Sequence, residues 1–189
     1  MIFRTLMFLL FLFVAPTSFA ANDITLPQDQ SAAVILVYHR IGDDEHIETV
    51  RVDQFQNHIE ELTQGDYTVL PLLEIIAAFQ SNDTLPLQTV AITFDGAHRS
   101  IIDTAAPILL EKNLPFTVFV ASDLIDSHNA DTMNWDDLHR LAKNENVTIG
   151  LHTAAYARLS GQKESEITRQ INKAKARVRE ELGIEPTLF

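Results

Sequence analysis

The chain has 189 residues, 46% of them hydrophobic and 21% charged, with 14 Lys and Arg against 26 Asp and Glu and a formal net charge of −12. That length supports one domain with a sizeable core, the composition excludes a disordered chain, and the acidic balance makes nucleic acid a poor partner. There is no Cys, which excludes a disulfide framework, a thiol nucleophile, Cys-ligated zinc and a lipid-modified cysteine anchor, so any metal must be held by His and carboxylate.

In chain order, Met1–Ala20 combines an early positive charge (Arg4), the apolar stretch Leu6–Val14 and the small-residue exit Ser18-Phe19-Ala20. This is the pattern of a secretory signal peptide cleaved after Ala20, with a permanent anchor as the weaker alternative. The apolar stretch falls short of the roughly 20 residues that cross a bilayer, so no stable membrane span is expected in the mature chain and its location is periplasmic or secreted. Removing the segment takes away only Arg4 and leaves the chain more acidic still. Residues 21–33 read as a short extended leader and 34–189 as one domain.

Val34–Tyr38 (VILVY) is a continuous apolar run that predicts a buried strand, and Phe55, Ile59 and Leu62 share one face of a helix over Asp53–Thr63. Tyr67–Leu70 predicts a short strand, Pro71 the start of a helix through Gln80, and Ser81–Pro86 a loop. Thr89–Phe94 predicts a second buried strand, followed by a helix over Ser100–Lys112. Phe116–Val120 is the next strand, Asn134 caps a helix over Trp135–Lys143, and Val147–Leu151 is a further strand. A charged helix over Glu164–Leu182 ends at Gly183, a residue suited to a C-cap. Strands without polar alternation, separated by helices, predict an α/β fold with a covered parallel sheet, either a barrel or an open doubly wound sheet.

In both architectures chemistry gathers at the carboxyl ends of the strands. Tyr38-His39-Arg40, Asp95, Ser122-Asp123 and His152-Thr153 stand at those ends. Asp123 reads more readily as a helix cap than as a site residue, whereas the helix after Asp95 begins several residues too late for Asp95 to cap it. Trp135 reads as packing rather than as a sugar-stacking surface.

The run TFDGAHRS (Thr93–Ser100) resembles the first motif of the NodB-homology polysaccharide deacetylases, carbohydrate esterase family 4, usually TFDDGxxS. IGLHTAAYARLS (Ile149–Ser160) is similar to their second motif, in which a His-Ser/Thr pair is followed one helical turn later by another His. KNLPFTVFVAS, MNWDDLHRLAKNENVTIG and the opening ILVYHRI are similar to the segments around those motifs. The resemblance runs from Val34 to Phe189 and implies a distorted (β/α) barrel. It also implies a divalent metal, usually zinc, held by one Asp and two His and activating a water, with the first Asp of the motif as general base. The implied substrate is an N-acetylated polysaccharide or chitooligosaccharide, hydrolysed at its acetamido groups.

Residue by residue, Asp95 matches the base and His152 the first metal His. Gly96 stands where the metal-binding Asp belongs and Tyr156 where the second His belongs, with Arg99-Ser100 still in register. One of three family ligands survives, and Tyr is a rare zinc ligand. A rearranged set of His39, His98 and His152 has acceptable zinc chemistry. The plainer expectation makes His98 a solvent-facing loop residue and His39 a buried, hydrogen-bonded one. The family's later Arg-Pro-Tyr-type motif and later catalytic His would follow Phe189, so the expected barrel is incomplete at the C-terminus, in a fragment or a truncated reading frame. The expectation for function is a deacetylase-family protein with weak or no turnover, the alternative being a non-catalytic carbohydrate-binding or scaffolding protein.

Overall fold

A computed structural model describes residues 31–189. The predicted signal peptide and most of the predicted leader lie outside the described residues, among which no helix is long and apolar enough to cross a membrane. Five strands form one sheet: β1 (Ala33–Tyr38), β4 (Thr68–Val69), β5 (Thr89–Asp95), β6 (Phe116–Val120) and β7 (Val147–Leu151). A separate ribbon pairs β2 (Arg40–Ile41) with β3 (Thr49–Val50). The helices are α1 (Val52–Gln64), α2 (Leu72–Ser81), α3 (Ala106–Glu111), α4 (Ser122–Asp126), α5 (Trp135–Ala142) and α6 (Glu164–Leu182).

Every pairing in the large sheet is parallel, in the order β1-β5-β6-β7, with β4 added to the amino end of β5. The sheet is open rather than closed among the described residues, as expected for a distorted barrel that is incomplete. Side chains alternate across it. Val90, Ile92 and Phe94 of β5, with Phe116, Val118 and Val120 of β6, join the main core under Phe55 and Ile59 of α1, Leu138 of α5 and Val178 of α6. On the opposite face Ala91 packs with Leu72 and Ile75 of α2 and with Leu188. The segment before Phe189 runs beside β7, because the Leu151 N–H donates to the Leu188 carbonyl at 2.8 Å.

The helix ends follow their sequence signals. The Asn134 side chain accepts from the Asp137 N–H while the Asp137 carboxylate accepts from the Asn134 N–H, a reciprocal cap. Gly183 closes α6 in the left-handed region at φ 68°. Along α6, Gln170, Ala174, Val178 and Leu182 form the buried stripe at four-residue spacing.

Two expectations are corrected. The first strand is only partly buried: Tyr38 joins the core, but Val34, Ile35 and Val37 are 57%, 50% and 52% exposed, and among the described residues β1 has a neighbour along one edge only. The helix predicted over Ser100–Lys112 opens with a π-helical segment, Ile101–Ala105, before α3. Pro107 in the first turn of α3 has no N–H to give, and the Ala106 N–H reaches back to the Ile101 carbonyl, one residue farther than an α-turn. The short elements β2, β3 and α4 carry no periodicity and were not predicted.

Gly150 in β7 lies under the Phe119 ring, and a Cβ placed there would sit 2.7 Å from two ring carbons. Gly150→Ala is therefore expected to lower stability by about 1–3 kcal/mol in denaturant unfolding, and Phe119→Leu in the same chain to restore part of the loss.

Candidate functional site

The alternation that buries Val90, Ile92 and Phe94 turns Thr93 and Asp95 to the other face. Tyr38 pairs with Phe94, so His39, the next residue, stands in register beside Asp95. His152 follows β7 on the same side. His39, Asp95, His152 and Tyr156 line a cavity of about 730 Å³ whose floor includes Phe119 and Leu188. A second, more polar cavity of about 210 Å³ is lined by His39, Arg40, Asp95, Gly96, His98 and Tyr156. His39, Asp95 and Tyr156 thus form a wall between the two.

The Asp95 turn is clamped from both sides. The Gly96 N–H donates to the Phe119 carbonyl at 2.9 Å, the Met133 N–H to the Ala97 carbonyl at 3.0 Å, and the Arg99 N–H to the Asp131 carbonyl at 2.8 Å. The Arg99 guanidinium bonds the Ala130 carbonyl and the buried Asp137 carboxylate, which ties the turn to the cap of α5. The backbone bends through positive φ at Gly96 (91°) and Ala97 (63°). Burial pushes the Asp95 carboxyl above the usual carboxylate range, opposed in part by the nearby His152 and His39.

His152 is held by its neighbour. The Thr153 hydroxyl donates to the Ala157 carbonyl at 2.9 Å, so the 3.0 Å contact between His152 Nδ1 and that oxygen has the imidazole as donor. This leaves the Nε2 lone pair of the neutral ring free. The segment after His152 is a turn rather than the helical turn expected, with the Tyr156 N–H donating to the Thr153 carbonyl at 3.0 Å and Tyr156 itself left-handed at φ 55°. That turn brings the Tyr156 ring to 4.5 Å from the His152 ring at 32°. The same ring faces Gly96, where a Cβ would lie 2.9 Å from Tyr156 Cε2.

His98 is not the solvent-facing residue expected. It is half-buried, and its Nδ1 accepts from the Ser100 N–H at 3.2 Å and from the Ser100 hydroxyl at 2.8 Å, while that hydroxyl oxygen accepts from the Ile41 N–H. His39 is half-buried and makes no side-chain hydrogen bond to the described residues, so the buried, bonded role expected of it falls to His98 instead. Asp123 caps nothing with its side chain and pairs with Lys173 of α6 at 2.8 Å. Trp135 packs against the core, its indole N–H bonded to Asp126 and its face under Arg177. The role of Ser100 in joining the site turn to β2 was not foreseen, although its register in TFDGAHRS marked the position.

Among the described residues no three His, Asp or Glu side chains come together as a metal cage. His98 faces only the smaller cavity and His152 only the larger, so His39, His98 and His152 do not converge. At the family positions Asp95 and His152 offer donor atoms, Gly96 offers none, and the Tyr156 ring fills the adjoining space. The residues present therefore do not fit the three-ligand metal that the resemblance implies.

Because folding raises the Asp95 pKa, its charged form opposes folding; the penalty is full above the folded value and vanishes as pH falls towards the ordinary carboxylate value. Asp95→Asn is expected to raise Tm at pH 7, with the gain shrinking as thermal melts are taken to lower pH.

The profile of the polysaccharide deacetylase family matches residues 82–189. The poly-β-1,6-N-acetyl-D-glucosamine N-deacetylase of Staphylococcus epidermidis is 26% identical over 124 residues, covering 58% of this chain and 43% of the relative. Its namesake in Staphylococcus aureus strain N315 is 24% identical over 162 residues, covering 76% and 56%. The chain spans about half the length of the curated relatives it matches. Among solved structures, IcaB from Ammonifex degensii superposes with a TM-score of 0.74 at 21% identity, covering 83% of this chain and 72% of that one. The Streptococcus pyogenes deacetylase PplD, in complex with acetate, gives 0.73 at 20% identity, covering 82% and 70%; these two likenesses establish the fold. The Asp95 turn and the His152 loop both fall inside residues 82–189, so the matched stretch carries both surviving motif residues of the site, and the chain belongs to the polysaccharide deacetylase family.

Proposed function

We propose that the cleft above Asp95 takes an N-acetylated amino-sugar polymer of the poly-β-1,6-N-acetylglucosamine kind, and that the chain as it stands holds this polymer without the metal-assisted hydrolysis of its family. The donor set carries the reading: Asp95 and His152 remain, while Gly96 has no side chain to offer and the Tyr156 ring takes up the space beside it. The substrate class is supported by the names of the curated relatives. An acetamido N–H is matched by the acceptors of Asp95 and of His152 Nε2. Hydrolysis asks for more, namely a base, an activated water and a stabilised oxyanion. Without a metal the water lacks its activation.

In the same reading residues 34–189 act as one domain, and Met1–Ala20 directs export to the periplasm or medium. The sequence pattern of that segment supports the export, and the acidic charge of the chain argues against a nucleic-acid partner.

Calorimetric titration with N-acetylated β-1,6-glucosamine oligomers is expected to show saturable binding that added zinc does not change, with no acetate release above that of Asp95→Asn. Acetate release with zinc that Asp95→Asn abolishes would establish the plain enzyme instead. Edman sequencing of the protein from its native host is expected to begin at or near Ala21; an intact Met1 on membrane-bound material would refute export by cleavage.

A further inference from the structure

We infer that Gly96 and Tyr156 are a matched pair, in which the Tyr156 ring occupies the space that a side chain at position 96 would need. The metal position is then closed by packing and backbone conformation as well as by absent donor atoms. The inference rests on the proposed metal-free reading of the site and supplies its physical cause.

Three observations meet at this contact. A Cβ on Gly96 would stand 2.9 Å from Tyr156 Cε2 and 3.3 Å from Cζ, distances at which the aromatic ring has to move. The ring has little freedom to do so. It lies tilted against the His152 ring, its N–H is held by the Thr153 carbonyl, and its backbone is in the left-handed region, a conformation that an aromatic residue adopts only where its surroundings impose it. Gly96 is itself at φ 91°, a region that residues with a Cβ rarely enter, and the Gly96 N–H is engaged by the Phe119 carbonyl. A carboxylate placed at 96 would meet the ring and strain the turn together. The two positions at which this chain departs from the family motif are thus one contact seen from its two sides.

Restoring one ligand cannot rebuild the site on this account. Gly96→Asp alone pushes against the ring. Tyr156→His alone frees the space but leaves Gly96 without a donor. Tyr156 is a positioning residue here, acting through His152 and the Gly96 turn, and it also forms the wall between the two cavities.

A double-mutant cycle tests the pair without any glycan, so its outcome is separate from that of the binding experiment above. Gly96→Ala is expected to lower Tm by several degrees in the unaltered chain and by less than half as much when Tyr156 is already Ala, since the conformational strain is common to both backgrounds and the ring contact is not. In equilibrium dialysis against zinc chloride, the double variant Gly96→Asp with Tyr156→His is expected to retain about one zinc per chain and each single variant none. Should Gly96→Asp fold only when accompanied by Tyr156→His, that dependence itself demonstrates the coupling. Additive Tm changes in the alanine cycle, stoichiometric zinc on either single variant, or no zinc on the folded double variant would each overturn the pair.

Discussion

Parallel pairing to β5 is the constraint from which the rest of the molecule follows. β5 bonds to β1 along one edge and shares the other between β4 and β6, so every neighbour runs in its direction. The carboxyl ends of the strands therefore lie at one end of the sheet, and residues in register share a face. This is why His39 stands beside Asp95 although 56 positions separate them in the chain. Helices α1, α5 and α6 serve the same arrangement by covering the opposite face, where Val90, Ile92 and Phe94 lie in the main core, while α2 packs on the face of Ala91.

Phe119 of β6 joins the two halves of the site. Its carbonyl accepts from Gly96 and so sets the height of the Asp95 turn, while its ring passes over Gly150, two residues before His152. Position 119 thereby fixes the distance between the strand that carries the carboxylate and the strand that leads to the imidazole. Around this centre the bonds are long-range: Arg99 reaches Asp137, Ser100 receives Ile41, and the Asp123 N–H donates to Ala154. The site is consequently rigid at its base, with Tyr156 inserted at its top.

Much of this was legible in the sequence where the signal is local. Val147–Leu151 and Phe116–Val120 are apolar runs bounded by polar residues, and both coincide with observed strands. Asp95 and His152 could be located because their motifs carry chemistry in adjacent residues. An apolar run does not say how many neighbours a strand has, so VILVY gave no sign that β1 would be an edge. Nor could His98 be read correctly, since its environment depends on an amide 57 residues away, that of Ile41, acting through Ser100. Gly96 and Tyr156 looked like two separate losses because their contact exists only in three dimensions.

The outer edge of β1 has a consequence for behaviour in solution. Its backbone N–H and C=O groups have no strand partner among the described residues, and the six-residue run Ala33–Tyr38 contains neither charge nor Pro. Such an edge is a template onto which a strand of another molecule can add. What opposes the addition is long-range repulsion, since each chain carries a formal net charge of −12 at pH 7. That protection weakens as the pH approaches the isoelectric point near 4.8. Addition at an uncovered edge of this kind is therefore opposed least in mild acid, where the net charge is smallest.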